Sequence, residues 1–464
     1  MNKELWAKIE AFQLDKWTDE YGFVLRLAKE NLWTKHFTES AILEYKKFMY
    51  LAATSNQMVS PSDIVDIVWH QHLIFTQSYN RFCKLLGKDI QHIPSTHNRT
   101  EIDKFSEAKE QTTTLYTKAF GEQPKEIWEY RTMYDSLNIK PAIRSLVSIS
   151  IASIILFVVF IPIAFALLLP FYIHIGSSVF MFTSVLAFVG VIILLQRYPK
   201  SKIQQIFTDS SPTSFINDLY PYELMYLKHK GVKEGVIGTL NELIEQGNIK
   251  IGLKDEIVFV HDHIVKNREQ AIVLQELKTT EVRQYKLLVD ILKEKTVFIN
   301  QQVSMKGLLA YLKTSDTIAK ICSFNNKILG VLTLLVFTRL IIGISRDKPV
   351  LMVAILTFIL ILYAIGKTVF FLENEISTGL ITYYKDTIIP KKSKDNNWQW
   401  SYLLNGNTAL GAALIGVFSL SSNYSNSENS SSENSCNSSS DNSCSSDSGS
   451  SCGSSCGGCG GGGD

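Results

Sequence analysis

Four apolar runs that hold almost no charged residues constrain this 464-residue chain more than any other feature. The runs cover residues 145–169, 172–195, 328–345 and 350–371. Each approaches or exceeds the length of about 20 helical residues that crosses a hydrocarbon layer of roughly 30 Å. Short links pair the first run with the second and the third with the fourth. This pattern predicts a mainly α membrane protein with two transmembrane helical hairpins in contact with the lipid bilayer.

The apolar runs divide the rest of the chain into segments of ordinary soluble composition. We predict an all-α soluble domain over 1–140, hairpin 1 over 145–195, a small α+β winged-helix-like domain over 196–326, hairpin 2 over 328–371, a juxtamembrane segment over 372–420 and a disordered tail over 421–464. The net charge is only +2, so no strong basic field suggests a nucleic-acid partner.

The distribution of lysine and arginine predicts which ends face the cytoplasm. Cations flank hairpin 1 on both sides, whereas its internal link has none; they are Arg131, Lys140, Arg144, Arg197, Lys200 and Lys202. Positive residues are retained on the cytoplasmic side. Residues 1–17 lack the apolar core of a signal peptide. We therefore expect the N-terminus and both ends of hairpin 1 in the cytoplasm. The contrast around hairpin 2 is weaker, because its turn holds Arg346 and Lys348.

Two places in the apolar regions allow more than one interpretation. Arg339 lies inside the third run, and we expect its stem to reach the membrane interface rather than to carry a transport or gating charge. Residues 398–420 have no charge, but Asn405, Gly406 and Asn407 interrupt them. We expect a packed or interfacial helix there, because the uninterrupted apolar part is short of a span. If the segment did cross, the tail would lie outside.

Four histidines and a cysteine fall close together in the N-terminal domain: His70, His72, Cys83, His92 and His97. Imidazole and thiolate are ligands that zinc prefers, so these residues form a candidate metal site. In the helix predicted to begin near Ser60, His70 and His72 point about 200° apart. Asp66 and His70 share a face, which suits a carboxylate that orients an imidazole. The alternative is that Trp69 and His70 are buried core residues.

The same region carries two recognisable motifs. The first comprises Asp66, Trp69, His70, His72, Tyr79, Cys83, Gly87, His92 and Pro94, and the second comprises Leu115, Tyr116, Phe120, Gly121, Pro124 and Trp128. Together they resemble the glycine-rich domain-containing protein-like family over residues 1–135. The resemblance implies a small helical module and lends no catalytic assignment.

Turn and helix signals define the segment between the hairpins. They predict helices over 221–230 and 232–246, a β-hairpin around residues 254–255, and later helices over 281–295 and 304–321. Helix, helix and hairpin form a winged-helix-like unit. Glu234, Glu242 and Glu245 on the second helix would repel phosphates, so we expect no nucleic-acid binding. His261 and His263 would share one face of a strand, as ligands do, or belong to a solvated strand end.

The tail is rich in serine, asparagine, cysteine and glycine, a composition that cannot bury a core. Its thiols are Cys436, Cys444, Cys452, Cys456 and Cys459. Flexible thiols can gather soft metals, form disulfides or accept lipid. The layout of residues 200–464 resembles a family of uncharacterised bacterial membrane proteins with cysteine- and glycine-rich tails. This resemblance implies a bacterial cytoplasmic membrane protein.

No catalytic signature was found: the chain has no Walker loop, dinucleotide fingerprint, G-x-S-x-G or H-E-x-x-H motif. The leading hypothesis is therefore a membrane-anchored binding or scaffold protein with protein partners. The alternative is a metal-binding enzyme or metal sensor that uses the N-terminal histidines, with zinc as the candidate cofactor. A transporter is a third hypothesis, and few ionisable residues in the predicted spans support it, His174 and Arg339 among them.

Overall fold

The structure, a computed structural model, describes residues 1–93, 99–252, 255–280, 283–369, 371–392 and 398–411. It is mainly helical, as predicted. The N-terminal helices are α1 (Lys3–Glu10), α2 (Phe23–Asn31), α3 (Lys35–Thr54), α4 (Asp63–Ile74), α5 (Thr76–Leu86), α6 (Arg99–Phe120) and α7 (Lys125–Trp128). A short 3₁₀ turn, Met133–Leu137, leads towards the first apolar helix.

Side-chain caps define where the N-terminal helices begin. The Thr34 hydroxyl accepts a hydrogen bond from Phe37 N at the start of α3. The Ser62 hydroxyl accepts one from Val65 N at the start of α4. The N-cap residue is therefore Ser62 and not Ser60, because α4 begins at Asp63, two residues after Pro61. Asp63 and Asp66 lie in the first turn, where the helix dipole favours negative charge.

A buried carboxylate explains the second sequence motif. Glu44 on α3 accepts hydrogen bonds from Tyr116 Oη over 2.8 Å and from Trp128 Nε1 over 2.7 Å. Lys47 balances its charge at 2.7 Å. These contacts join α6 and α7 to α3, and all three partners of Glu44 would lose a hydrogen bond if it were removed. The motif residues Tyr116 and Trp128 therefore close the helical domain.

Among the described residues, three helices are long and apolar enough to cross a membrane: α8 (Leu146–Tyr172), α9 (Ser177–Thr208) and α15 (Asp316–Ser345). A fourth span is available if α16 (Leu351–Val369) and α17 (Phe371–Tyr383) act as one, since the pair bends by 56°. Lys367 lies before the bend and pairs with Glu375 after it. Pro162 and Pro170 both lie inside α8, and residues 173–176 form the link of hairpin 1.

Five further helices and one small sheet lie between α9 and α15. They are α10 (Pro221–His229), α11 (Lys233–Glu245), β1 (Ile249–Ile251), β2 (Ile257–Phe259), α12 (Arg268–Thr279), α13 (Tyr285–Lys293) and α14 (Thr296–Lys313). The strands pair antiparallel with Lys250 opposite Val258, which confirms the predicted β-hairpin. Helix α12 was not predicted. The helix predicted over 304–321 is divided, because Ser315 caps the start of α15 through Ile318 N.

The N-terminal helices pack directly on this central segment. The Lys35 ammonium bonds to the Glu269 carboxylate at 2.8 Å, and Lys295 bonds to Glu20 at 2.6 Å. Arg268 pairs with Asp15. Residues 15–35 and 266–300 are thus held together by ion pairs that bury part of their charge.

Residues 398–411 pack on the central segment. Helix α19 (Trp398–Asn405) follows π-helical and α-helical turns at Tyr384–Ile388 and α18 (Ile389–Lys392). The Tyr402 hydroxyl donates to Glu234 over 2.5 Å, and Gly411 N donates to Asn241 Oδ1 over 2.9 Å. The part of the segment that the structure describes is therefore a packed helix against α10 and α11.

Candidate metal centre

Helix α4 supplies two of the candidate ligands. Asp66 and His70 lie one turn apart, and the His70 Nε2 atom is 3.4 Å from Asp66 Oδ2. The His70 side chain is 58% exposed, so His70 is not the core residue that one interpretation of the sequence proposed. Trp69 is buried, as that same interpretation expected. Trp69 therefore belongs to the core, whereas the adjacent His70 lies at the surface.

A loop after α5 brings the third ligand to α4. Helix α5 ends at Gly87, which adopts the left-handed conformation with a φ of 70°. The Tyr79 hydroxyl then donates to the carbonyl of Ile90, and Trp69 Nε1 donates to that hydroxyl over 3.1 Å. The His92 ring packs edge-on against Trp69, with 4.6 Å between ring centroids. The loop is thus anchored just before His92 and at the His92 ring itself.

The three side chains converge on a small volume. His92 Nε2 lies 2.9 Å from Asp66 Oδ1, and one ligand atom from each of Asp66, His70 and His92 lies within 4.8 Å of the others. The ligand atoms of a tetrahedral zinc site, at bond lengths of about 2.0–2.1 Å, are roughly 3.3 Å apart. Modest rotation of His70 would reach that spacing, since its ring is exposed.

The centre opens into a groove on its outer side. The groove has a volume of about 790 Å³, and its lining includes all three candidate ligands as well as Asp63 and Asp89. Three protein ligands with an open side are typical of metal sites that exchange water or a substrate, whereas structural zinc sites are closed by a fourth protein ligand. Two imidazoles with one carboxylate suit zinc or ferrous iron.

His72 lies on the opposite face of α4, inside the core. Its Nδ1 atom is 2.8 Å from Tyr45 Oη and its Nε2 atom is 3.2 Å from Ser78 Oγ. Burial, together with the nearby Lys46 ammonium, lowers the pKa of His72 to about 3. Both ring nitrogens are therefore engaged within the protein, and the structure does not bring His72 together with His70 and His92.

The structure does not bring the other predicted ligands that it describes to this centre. Cys83 is a free, buried thiol on α5. His97 and the five tail thiols, Cys436, Cys444, Cys452, Cys456 and Cys459, lie outside the described residues. The rings of His261 and His263 stack with centroids 5.0 Å apart, and Asp262 between them pairs with Lys278.

The sequence predicted only a supporting role for Asp66, and not that of a ligand. It was expected to orient His70, yet its two carboxylate oxygens face both histidines. The spacing of four residues between Asp66 and His70 was the available signal. Nothing local could indicate that His92 would meet the same carboxylate.

Comparison with known protein families gives one match, and it lies in this region. A family model described as UCP032817-like matches residues 11–111, a span that contains all three candidate ligands. The match covers less than half of the chain. No curated protein and no solved structure matches the chain.

Proposed function

We propose that this protein is a membrane-anchored binding protein whose N-terminal helical domain holds one divalent metal ion, zinc being the first candidate, at Asp66, His70 and His92. The observation that carries the proposal is the convergence of these three ligand atoms within 4.8 Å beside an open groove. The family match over residues 11–111 and the resemblance to the glycine-rich domain-containing protein-like family support a discrete module there.

The proposed topology is multi-pass, with the N-terminus in the cytoplasm of a bacterial cell. Three long apolar helices and the bent pair α16–α17 support four spans arranged as two hairpins. The ion pairs Lys35–Glu269 and Lys295–Glu20 support a topology in which the segments before and after hairpin 1 lie on one side of the membrane. This argument concerns hairpin 1 alone and does not depend on how many spans follow it.

Metal content of the purified full chain tests the proposal. The detergent-solubilised protein would be stripped with a chelator, equilibrated with zinc and analysed for bound metal. We expect about one ion per chain, lost on His70→Ala and on His92→Ala. His36→Ala is the matched control, because His36 is a half-exposed histidine of the same domain outside the cluster. A folded chain that holds no zinc, iron or manganese would refute the metal site.

A scaffold without metal is the second candidate function. It is favoured by the direct contact of 2.9 Å between His92 and Asp66, because these groups already satisfy each other without an ion. In that case the cluster fastens the loop after α5, and the domain presents a protein-binding surface. Gentle solubilisation followed by pull-down would then recover a protein partner with wild-type chain and with His70→Ala alike.

A further inference from the structure

A second polar cavity, with a volume of about 330 Å³, lies where three segments lead into apolar helices. Its walls come from residues 137–140 before α8, residues 198–209 near the end of α9, and the first turns of α15. Backbone bonds join the first and third segments: Ala142 N donates to Thr314 O over 2.8 Å, and Asp316 N donates to Lys140 O over 2.9 Å. The cavity is therefore built at one end of all three helices.

The distance from the apolar runs places the inner rim of this cavity, at Tyr198, at the level of lipid headgroups, and the rest of the cavity farther out. Lys202 lies about 10 Å along α9 beyond Leu195, where the apolar run ends, and Lys320 lies about 12 Å along α15 before the next run. The interfacial layer of a bilayer is roughly 5–8 Å thick on each side. Lysine stems extend by several ångströms along a helix, so both ammonium groups can reach that layer.

Only some of the lysines that line the cavity have a carboxylate partner. Lys320 is paired with Asp316 at 2.6 Å. Lys140 and Lys202 also line the cavity, and neither has a carboxylate at ion-pair distance in the described part of the chain. Thr317, in the first turn of α15, also lines the cavity, and the N–H groups of a first helical turn have no intrahelical acceptor. These donors together suit one phosphate group.

We propose that this cavity binds the headgroup of an anionic phospholipid that carries hydroxyl groups, a lipid of the phosphatidylglycerol type. The inference rests on the membrane topology proposed above. Lys140 and Lys202 contact the phosphate, while the carboxylates of Asp209 and Asp316 accept hydrogen bonds from headgroup hydroxyls. A headgroup with a further carboxylate is disfavoured, because these two acids would repel it.

The cavity wall is also suited to the membrane interface. The Tyr198 ring lines the cavity and packs against Phe324, with ring centroids 4.2 Å apart. Aromatic side chains of this kind are enriched where hydrocarbon meets headgroups. Leu137 and Ile206 supply apolar contacts beside it for the glycerol backbone of the lipid.

Lipid binding to the full chain in neutral detergent, counted by native mass spectrometry, tests this proposal. Phosphatidylglycerol, phosphatidylserine and phosphatidylcholine would be added separately to wild type, to Lys140→Gln/Lys202→Gln and to the matched control Lys104→Gln/Lys109→Gln on α6. We expect wild type and control to prefer phosphatidylglycerol. We expect its affinity to fall roughly thirtyfold in the cavity variant, or about 2 kcal/mol, because both of the lysines removed lie near an anionic surface.

Three results would overturn the proposal. They are equal binding of all three lipids by wild type, an unchanged preference in Lys140→Gln/Lys202→Gln, and displacement of the lipid by equimolar inorganic phosphate, which would make the site one for free phosphate. Lys140→Arg/Lys202→Arg should restore the preference and would exclude misfolding as the cause of its loss. The membrane topology is tested separately: a chain that is recovered from cells without detergent would refute it.

Discussion

At the scale of single residues, Trp69 connects the core to the candidate metal centre. Its ring packs against Phe48 and His92, and its Nε1 atom donates to Tyr79, whose hydroxyl fixes the carbonyl of Ile90. One side chain therefore sets the position of the loop that carries His92. His72, three positions later, serves only the core, where its two ring nitrogens contact Tyr45 and Ser78.

Replacing Trp69 by alanine should destabilise the N-terminal domain by about 3–5 kcal/mol, the usual cost of truncating a buried tryptophan. Hydrogen–deuterium exchange of peptides from α4 and α5 in the full chain measures this directly. Trp69→Phe keeps most of the volume and loses the hydrogen bond to Tyr79, so it should cost less. Unchanged exchange in Trp69→Ala would contradict the burial of this ring.

The stability of the same helices should fall in mild acid because of His72. Its folded pKa is about 3, below the ordinary value of 6.5, so only the unfolded state takes up a proton between those values. The contribution of neutral His72 is complete above pH 6.5 and decreases as the pH falls towards 3. The loss between pH 7 and pH 5 should be about 2 kcal/mol.

Local exchange of α4 at pH 7 and pH 5, corrected for the intrinsic rates, would report this loss. The difference between the two pH values should shrink in His72→Phe and persist in His36→Ala. An equal pH dependence in His72→Phe and wild type would show that other groups cause the effect.

At the scale of elements, Arg339 joins α15 to the far end of α8. Its guanidinium donates to the carbonyl of Tyr172 and, over 2.8 Å, to the carbonyl of Ile175. The rings of Tyr172 and Phe180 lie 5.7 Å and 5.3 Å from it. The last carbonyls of a helix have no intrahelical donor, so this cation satisfies groups that hydrocarbon would leave unpaired. The contacts support a structural role for Arg339.

Arg339→Met should therefore loosen the contact between the two proposed hairpins. Two hydrogen bonds from a charged group contribute about 3–6 kcal/mol together. We expect a clear drop in the thermal midpoint of the detergent-solubilised chain and a smaller drop for Arg339→Lys. Arg346→Met, in the exposed turn after α15, is the control and should leave the midpoint unchanged. A midpoint unaffected by Arg339→Met would favour a side chain that merely reaches the interface.

At the scale of the whole molecule, segments far apart in the chain form one soluble body. Residues 15–35 contact residues 266–300 through ion pairs, and Glu223 accepts a hydrogen bond from Lys35 N over 3.0 Å. Burial raises the pKa of Glu223 to about 7, against the opposing effect of that hydrogen bond. Ser136 and Ser214 hydroxyls also lie 2.8 Å apart across the base of hairpin 1. These contacts support the proposed topology, in which both flanks of hairpin 1 lie on one side of the membrane.

Accessibility of introduced cysteines tests the proposed sidedness. In a chain whose five tail cysteines are serine, an impermeant thiol reagent should label Ser177→Cys in intact cells, because Ser177 is exposed at the start of α9. It should not label Lys286→Cys, an exposed position on α13, until the cells are opened. Labelling of Lys286→Cys in intact cells would place the soluble body outside.

Local patterns in the sequence were enough to predict the apolar helices, the β-hairpin and the shared face of Asp66 and His70. In each case the interacting residues lie within a few positions of one another, so periodicity and turn residues carry the information. The tertiary structure decided the rest. His92 meets Asp66 only because Tyr79 and Trp69 fix the loop between them, and Arg339 finds backbone carbonyls more than 160 residues away. Backbone acceptors are the same in every residue, so no sequence pattern marks which carbonyl a distant side chain will reach.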